Sequence, residues 1–205
     1  MLIDLLRHGK TEGNHFHRYI GCTDEPLCDI GRQEAEALPK DYAVSRVFVT
    51  PLQRTKETAA ILFPQAKQEV LPLLKEMDFG VFENRSATEM QDDQDFRAWV
   101  EGNCLPPCPG GESLAAFSER VCQGFAQAVE NLRKSQVSRG VFVVHGGTIM
   151  AILARFARPK WGFYDSLVKN CQGFRCVVSP ADQETPFTLR EITPFVYLPR
   201  EGKSQ

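Results

Sequence analysis

The chain has 205 residues, 42% of them hydrophobic and 24% charged, with a formal net charge of −2. Those proportions describe one well-packed globular domain and exclude a disordered chain, a coiled coil and a collagen-like repeat. A near-neutral chain has no electrostatic basis for non-specific binding to nucleic acid or an anionic membrane, so neither is expected as a partner.

In chain order, Leu2–Leu6 reads as a buried strand, with Asp4 and Arg7 interrupting the apolar run too early for a signal peptide. Asp29–Leu38 reads as a short helix stopped by Pro39. Arg46–Val49 is a second strand. Thr50 is the expected cap and Pro51 the first position of a helix running to about Phe63, before Pro64. Glu69–Leu71 is a weaker strand. From Glu76 to Gly111 strong periodicity lapses, with short helices expected around Thr88–Met90 and Phe96–Val100. This stretch, about 77–110, reads as an excursion from the core, where substrate-defining surface sits. Ser113–Ser135 is the clearest helix, because Leu114, Phe117, Val121, Phe125, Val129 and Leu132 recur every three or four residues. Val141–Val144 is a third strong strand, leading into a helix over Thr148–Phe156. Phe174–Ser179 and Phe187–Ile192 are strand-like, and Arg200–Gln205 reads as a loose tail behind a single domain of residues 1–199.

Strands separated by helices predict a three-layer α/β/α sandwich with a mostly parallel central sheet. No stretch reaches the roughly 18 apolar residues of a membrane span. The seven cysteines include no Cys-x-x-Cys pair and read as free thiols of a reducing compartment, which makes the cytoplasm the expected location. A monomer and a homodimer are both left open.

Several phosphate-handling motifs are absent. Gly202-Lys203-Ser204 mimics the end of a P-loop, but Tyr197 stands where its first glycine belongs. No Gly-x-Gly-x-x-Gly occurs, and no cysteine precedes an arginine by six residues. His15-x-His17 is the only close histidine pair and has no carboxylate cluster nearby, so no metal is expected. What stands out lies at strand ends. Arg7-His8-Gly9 follows the first strand and His145-Gly146-Gly147 the third strong one, placing two of the four histidines there. Arg54 falls in the first turn of a helix, against the helix dipole, as if an anion sat between them. Two arginines, two histidines and helix N-termini make an anion pocket containing a nucleophile. A proton donor could come from Glu76, flanked by Met77 and Phe79, or from Asp78; periodicity does not choose between them.

Leu5-Leu6-Arg7-His8-Gly9-Lys10-Thr11-Glu12-Gly13-Asn14 resembles the signature block of the histidine phosphatase superfamily, in the branch shared with cofactor-dependent phosphoglycerate mutases. Gly21 to Ala35, Thr50 to Ala59, Leu74 to Phe82 and Val144-His145-Gly146-Gly147 resemble its later blocks, in the same order. The resemblance implies a phosphoglycerate mutase-like fold and a cofactor-free, metal-independent phosphatase. His8 would be the nucleophile and Glu76, now selected over Asp78, the general acid and base. Arg7, Asn14, Gly21, Arg54, His145 and Gly146 would bind the phosphoryl group of a small phosphorylated substrate. Within the superfamily, Leu74-Lys75-Glu76-Met77-Asp78-Phe79-Gly80 and Pro109-Gly110-Gly111-Glu112-Ser113 look like α-ribazole-5′-phosphate phosphatases of cobalamin synthesis. A broad-specificity phosphatase and a phosphoglycerate mutase are the alternatives; a mutase would carry a longer insertion in 77–110. Departures from the family pattern are Lys10 in place of an acid or glutamine, Thr50 in place of serine, and Phe82-Glu83-Asn84 in place of tryptophan–glutamate–glycine. Phe79, Phe82, Met90, Phe96 and Trp99 are candidates either for stacking an aromatic substrate or for core.

Overall fold

The computed structural model describes residues 1–196, so the expected tail Arg200–Gln205 lies outside the described residues. Among the described residues six strands form one sheet: β1 (Leu2–Arg7), β2 (Arg46–Val49), β3 (Lys67–Val70), β4 (Arg139–Val144), β5 (Gln172–Ser179) and β6 (Thr188–Val196), in the order β3-β2-β4-β1-β5-β6. The first four in that order run parallel, while β5 and β6 form an antiparallel edge. The helices are α1 (Glu12–His15), α2 (Asp29–Glu36), α3 (Gln53–Leu62), α4 (Gln94–Glu101), α5 (Leu114–Lys134) and α6 (Gly146–Phe156).

The central strands are apolar along nearly their whole length because helices cover both sheet faces. Alternate residues go opposite ways. Ile3, Leu5, Phe142 and Val144 pack into one core with α5 and α6, whereas Leu6, Val141 and Val143 pack into a second with α3. The stripe Phe117, Val121, Phe125, Val129 and Leu132 on α5 is buried as its spacing requires. Ser113 caps that helix by accepting from the Ala116 N–H at 3.1 Å. Phe125 meets Phe142 edge-on at 5.3 Å, and Phe142 stacks on Phe48 of β2 at 4.7 Å. This aromatic column ties helix layer to sheet; truncating its central ring to alanine would cost about 3–5 kcal/mol.

Local expectations fail at three points. The helix expected to start at Thr50-Pro51 starts at Gln53, with Leu52 in the cap position and no side-chain cap. Thr50 is diverted by a tertiary contact described below. Thr88–Met90 forms turns, with Met90 buried and Thr88 and Glu89 exposed, one apolar residue being too little to dock a helix. The weak strand spans Lys67–Val70 instead of Glu69–Leu71. The excursion packs onto the α5–α6 core: Phe82, Met90, Phe96 and Trp99 are buried in the same cluster as Phe117 and Val121, and the Trp99 indole N–H donates to Pro106 O at 3.1 Å. At the other end of the sheet Asp4, wholly buried, accepts from Arg139 and Arg175 at 2.6–2.9 Å.

Candidate active site

Parallel pairing brings the strand ends to one edge. Arg7 is in register with Val144, and the His8 N–H continues the ladder to Val144 O at 3.0 Å. The residues after β1 and β4 are therefore neighbours, with β2 and Thr50 on the far side of β4. The His8 and His145 rings lie edge-to-face at 5.2 Å.

His8 is 4% exposed, and its Nδ1 lies 2.7 Å from Gly9 O. A carbonyl only accepts, so that contact puts the proton on Nδ1 and leaves a lone pair on Nε2. Burial first, then the charges of Arg54 and Arg7, hold the His8 pKa well below the ordinary 6.5; the Gly9 carbonyl opposes them. The ring is neutral. Glu76 responds in the opposite sense: burial raises its pKa, against N–H groups of Met77 (3.0 Å) and Gly147 (2.9 Å) and the charges of Arg54 and Arg7. Gly147 is obligatory for that contact, since a Cβ there would fall inside contact distance of the Glu76 carboxylate. Asp78, the rival acid, instead accepts from the Gly80 N–H at 2.9 Å and stands outside the cavity.

Arg7 donates from one terminal nitrogen to Val168 O at 2.8 Å, while its buried Nε has no hydrogen-bond partner among the described residues. Asn14 accepts through Oδ1 from Asn170 at 3.0 Å, which leaves its amide Nδ2 as the free donor. Arg7, His8, Asn14, Glu76, Gly146 and Gly147 all line one cavity of about 370 Å³.

Three expected phosphate ligands stand one layer back. Arg54 and His145 are fully buried. The Arg54 Nε donates to His145 Nδ1 at 3.3 Å, and its terminal nitrogens donate to Thr23 O (2.7 Å) and Gly21 O (2.8 Å). His145 Nε2 lies 3.0 Å from the Thr50 hydroxyl, which explains the failed cap. An imidazole accepting at Nδ1 is neutral, and burial followed by Arg54 lowers its pKa well below 6.5. Gly21, expected to bind phosphate, has its N–H committed to Glu83 at 3.0 Å and its carbonyl to Arg54. It is a glycine because a Cβ would overlap the Met77 carbonyl.

Two functional groups escaped sequence reasoning. Arg120 of α5 grips the acid-bearing segment by donating to Leu73 O, Lys75 O and Glu76 O at 2.8–3.3 Å, with Glu112 as its bidentate carboxylate at 2.7–2.8 Å. Only its place on the helix, one turn from the apolar stripe, signalled anything. The second group is aromatic: Tyr19, Phe163 and Tyr164 join Phe79 and Trp99 in walling the cavity, whereas Phe82, Met90 and Phe96 do not line it. One cluster, Cys22, Asp78 and Glu83, has metal-like spacing among the described residues. Its donors do not suit an ion: Glu83 already accepts five hydrogen-bond donors, and burial pushes the Cys22 thiol up to about 11.

An α/β sandwich with an arginine-bearing cleft at the carboxyl edge of its parallel strands is an enzyme built to take an anionic substrate. Residues 3–184 match the model of the histidine phosphatase superfamily (branch 1), and the chain belongs to that family. It is 32% identical to an acid phosphatase of Mycobacterium tuberculosis over 75% of this chain and 74% of that one. It is 29% identical to a probable phosphoglycerate mutase of Escherichia fergusonii over 82% and 80% respectively. The crystal structure of the α-ribazole phosphatase of Shigella flexneri superposes with a TM-score of 0.76 at 25% identity, covering 93% of this chain and 95% of that one. No described helix is long and apolar enough to cross a membrane.

Proposed function

We propose that this protein is a metal-independent phosphatase acting on small phosphate monoesters through a phosphohistidine on His8, with α-ribazole-5′-phosphate the substrate that fits best. The observation carrying the chemistry is the pairing of a neutral His8, lone pair on Nε2, with a buried, unpartnered Arg7 Nε on the same cavity wall. The phosphoryl group docks against Arg7 and Asn14. Arg54 and His145 supply fixed charge and dipole from behind. His8 Nε2 attacks phosphorus in line, the P–O bond breaks, and protonated Glu76 gives its proton to the leaving oxygen. Ionised Glu76 then takes a proton from water as that water cleaves the P–N bond, releasing phosphate and restoring both groups. The arginine frame stabilises the equatorial oxygens, a task metal ions perform in other phosphoryl-transfer enzymes.

The leaving alcohol lies in the aromatic part of the cavity, where Tyr19, Phe79, Trp99 and Phe163 suit a flat apolar base on a ribose. The likeness to α-ribazole phosphatase supports the same choice. A second reading, a doubly anionic substrate of the phosphoglycerate type, draws on a neighbouring cleft of about 630 Å³ lined by Arg7, Lys10, Arg18 and Lys169. Phosphate release from α-ribazole-5′-phosphate and from 3-phosphoglycerate, in EDTA and with His8→Ala as blank, separates them. Fast His8-dependent release from the first ester alone is expected. Preference for the second, or turnover by His8→Ala, refutes the proposal. With its seven cysteines free, the enzyme would work in a reducing compartment, the cytoplasm.

A further inference from the structure

Glu83 follows the turn Gly80–Phe82 and gathers five donors on one carboxylate. Its Oε1 accepts from the N–H groups of Gly21 (3.0 Å), Cys22 (2.9 Å) and Phe79 (3.2 Å). Its Oε2 accepts from Gly21 (3.1 Å), the Thr23 N–H (3.2 Å) and the Thr23 hydroxyl (2.7 Å). Residues 19–26 contain no helix or strand, so these bonds are what sets their course. In a planar trans peptide the N–H and C=O point opposite ways. Gathering the Gly21 and Cys22 N–H groups on one side thus presents the carbonyls of the same two peptides, Ile20 and Gly21, on the other, where both accept from Arg54; the Thr23 carbonyl, in the next peptide but one, accepts from it as well. Arg54 in turn donates to His145, whose ring meets that of His8.

We propose that Glu83 is a positioning residue for phosphoryl transfer, holding residues 21–23 in the register that fixes the Arg54 guanidinium against His145 and behind His8. The inference rests on the phosphatase reading above. Phe79 extends the same anchor to the segment carrying Glu76, so one carboxylate aligns the charged frame with the proton donor. Glu83→Gln keeps the shape but turns an NH₂ group toward N–H donors whichever way the amide lies, and the loop must give.

The test is a double-mutant cycle of Glu83→Gln and Arg54→Met, reading kcat/KM on p-nitrophenyl phosphate and orthovanadate affinity by calorimetry. Thermal unfolding runs alongside. Glu83→Gln is expected to lower kcat/KM and vanadate affinity about 10- to 100-fold alone, and less than about threefold when Arg54 is already methionine. Equal losses in both backgrounds, or no loss at all, overturn the inference while leaving the phosphatase reading intact. Wild-type protein that neither hydrolyses the ester nor binds vanadate refutes both. Should Glu83→Gln fail to fold, Thr23→Val removes one donor from Oε2 and enters the same cycle, with about a fivefold loss expected that disappears beside Arg54→Met.

Discussion

Gly147→Ala separates the acid from the rest of the site. A Cβ at this position would lie 3.1 Å from Glu76 Cδ, 3.2 Å from Oε2, and closer still to Oε1. What it meets is the end of a side chain, not backbone, so the fold yields by moving the carboxylate. Restoring an ordinary contact displaces that group by about 1 Å, the scale at which misplacement costs roughly 100-fold in rate. The Gly147 N–H bond to Oε2, 2.9 Å long, stretches with it. The loss belongs to leaving-group protonation and therefore depends on the ester. For an alkyl phosphate, kcat/KM should fall about 100-fold; for p-nitrophenyl phosphate, whose phenolate departs unaided, less than about tenfold. The parameter must be kcat/KM, which reports steps through phosphorylation of His8 and is blind to the later water step. Thermal unfolding should shift little. Equal losses on the two esters would show that Glu76 is not the proton donor, and an unchanged alkyl rate would show that its position is irrelevant.

The pH profile follows from the two opposed shifts. Because neutral His8 is held well below 6.5, kcat/KM should not fall as pH drops through 6.5; because Glu76 is raised, activity on alkyl esters should decline on the alkaline side, and Glu76→Gln should remove that limb. In stability the histidines act oppositely to Glu76. Below 6.5 the unfolded chain binds protons that buried His8 and His145 refuse, so stability falls with falling pH down to their folded values, and His8→Asn should flatten that slope in pH-dependent melts. Glu76 penalises the fold as pH rises from 4.5 through its raised value. Asp4→Asn, which removes the buried carboxylate that Arg139 and Arg175 share at the far end of the sheet, should cost about 3 kcal/mol in urea unfolding with kcat unchanged. Phe163→Ala should raise KM about tenfold for an aromatic phosphate ester and leave glycerol phosphate within about twofold.

Arg7, His8 and His145 were legible because a buried strand is short and apolar, and polar residues with glycine directly after it have nowhere to go but the sheet edge. Arg54 was legible as a cation at a helix start, but its partners were not. They are carbonyls of residues 20–23, more than 30 positions away, and carbonyls leave no mark in a sequence. The same distance hid Arg120 and Glu83, whose side chains act on backbone groups of other segments. Thr50 shows local chemistry losing to tertiary structure: a hydroxyl well placed to cap α3 bonds instead to Thr55 and to a histidine 95 residues away. Strand direction at the β5–β6 edge was equally hidden, since alternation is the same whichever way a neighbour runs.

The Arg7 guanidinium is fastened to Val168 O, and Val168 belongs to the segment whose Phe163, Tyr164 and Leu167 wall the aromatic chamber. Grip and choice thus share a hinge. On the proposed mechanism, a leaving group that presses on this wall also presses on the arginine that would meet the phosphate, so a poorly shaped alcohol would be punished in turnover as well as in binding. Exchanging residues 163–168 for another sequence would accordingly retune rate and preference together, and selection for a new substrate along this wall would act on both at once.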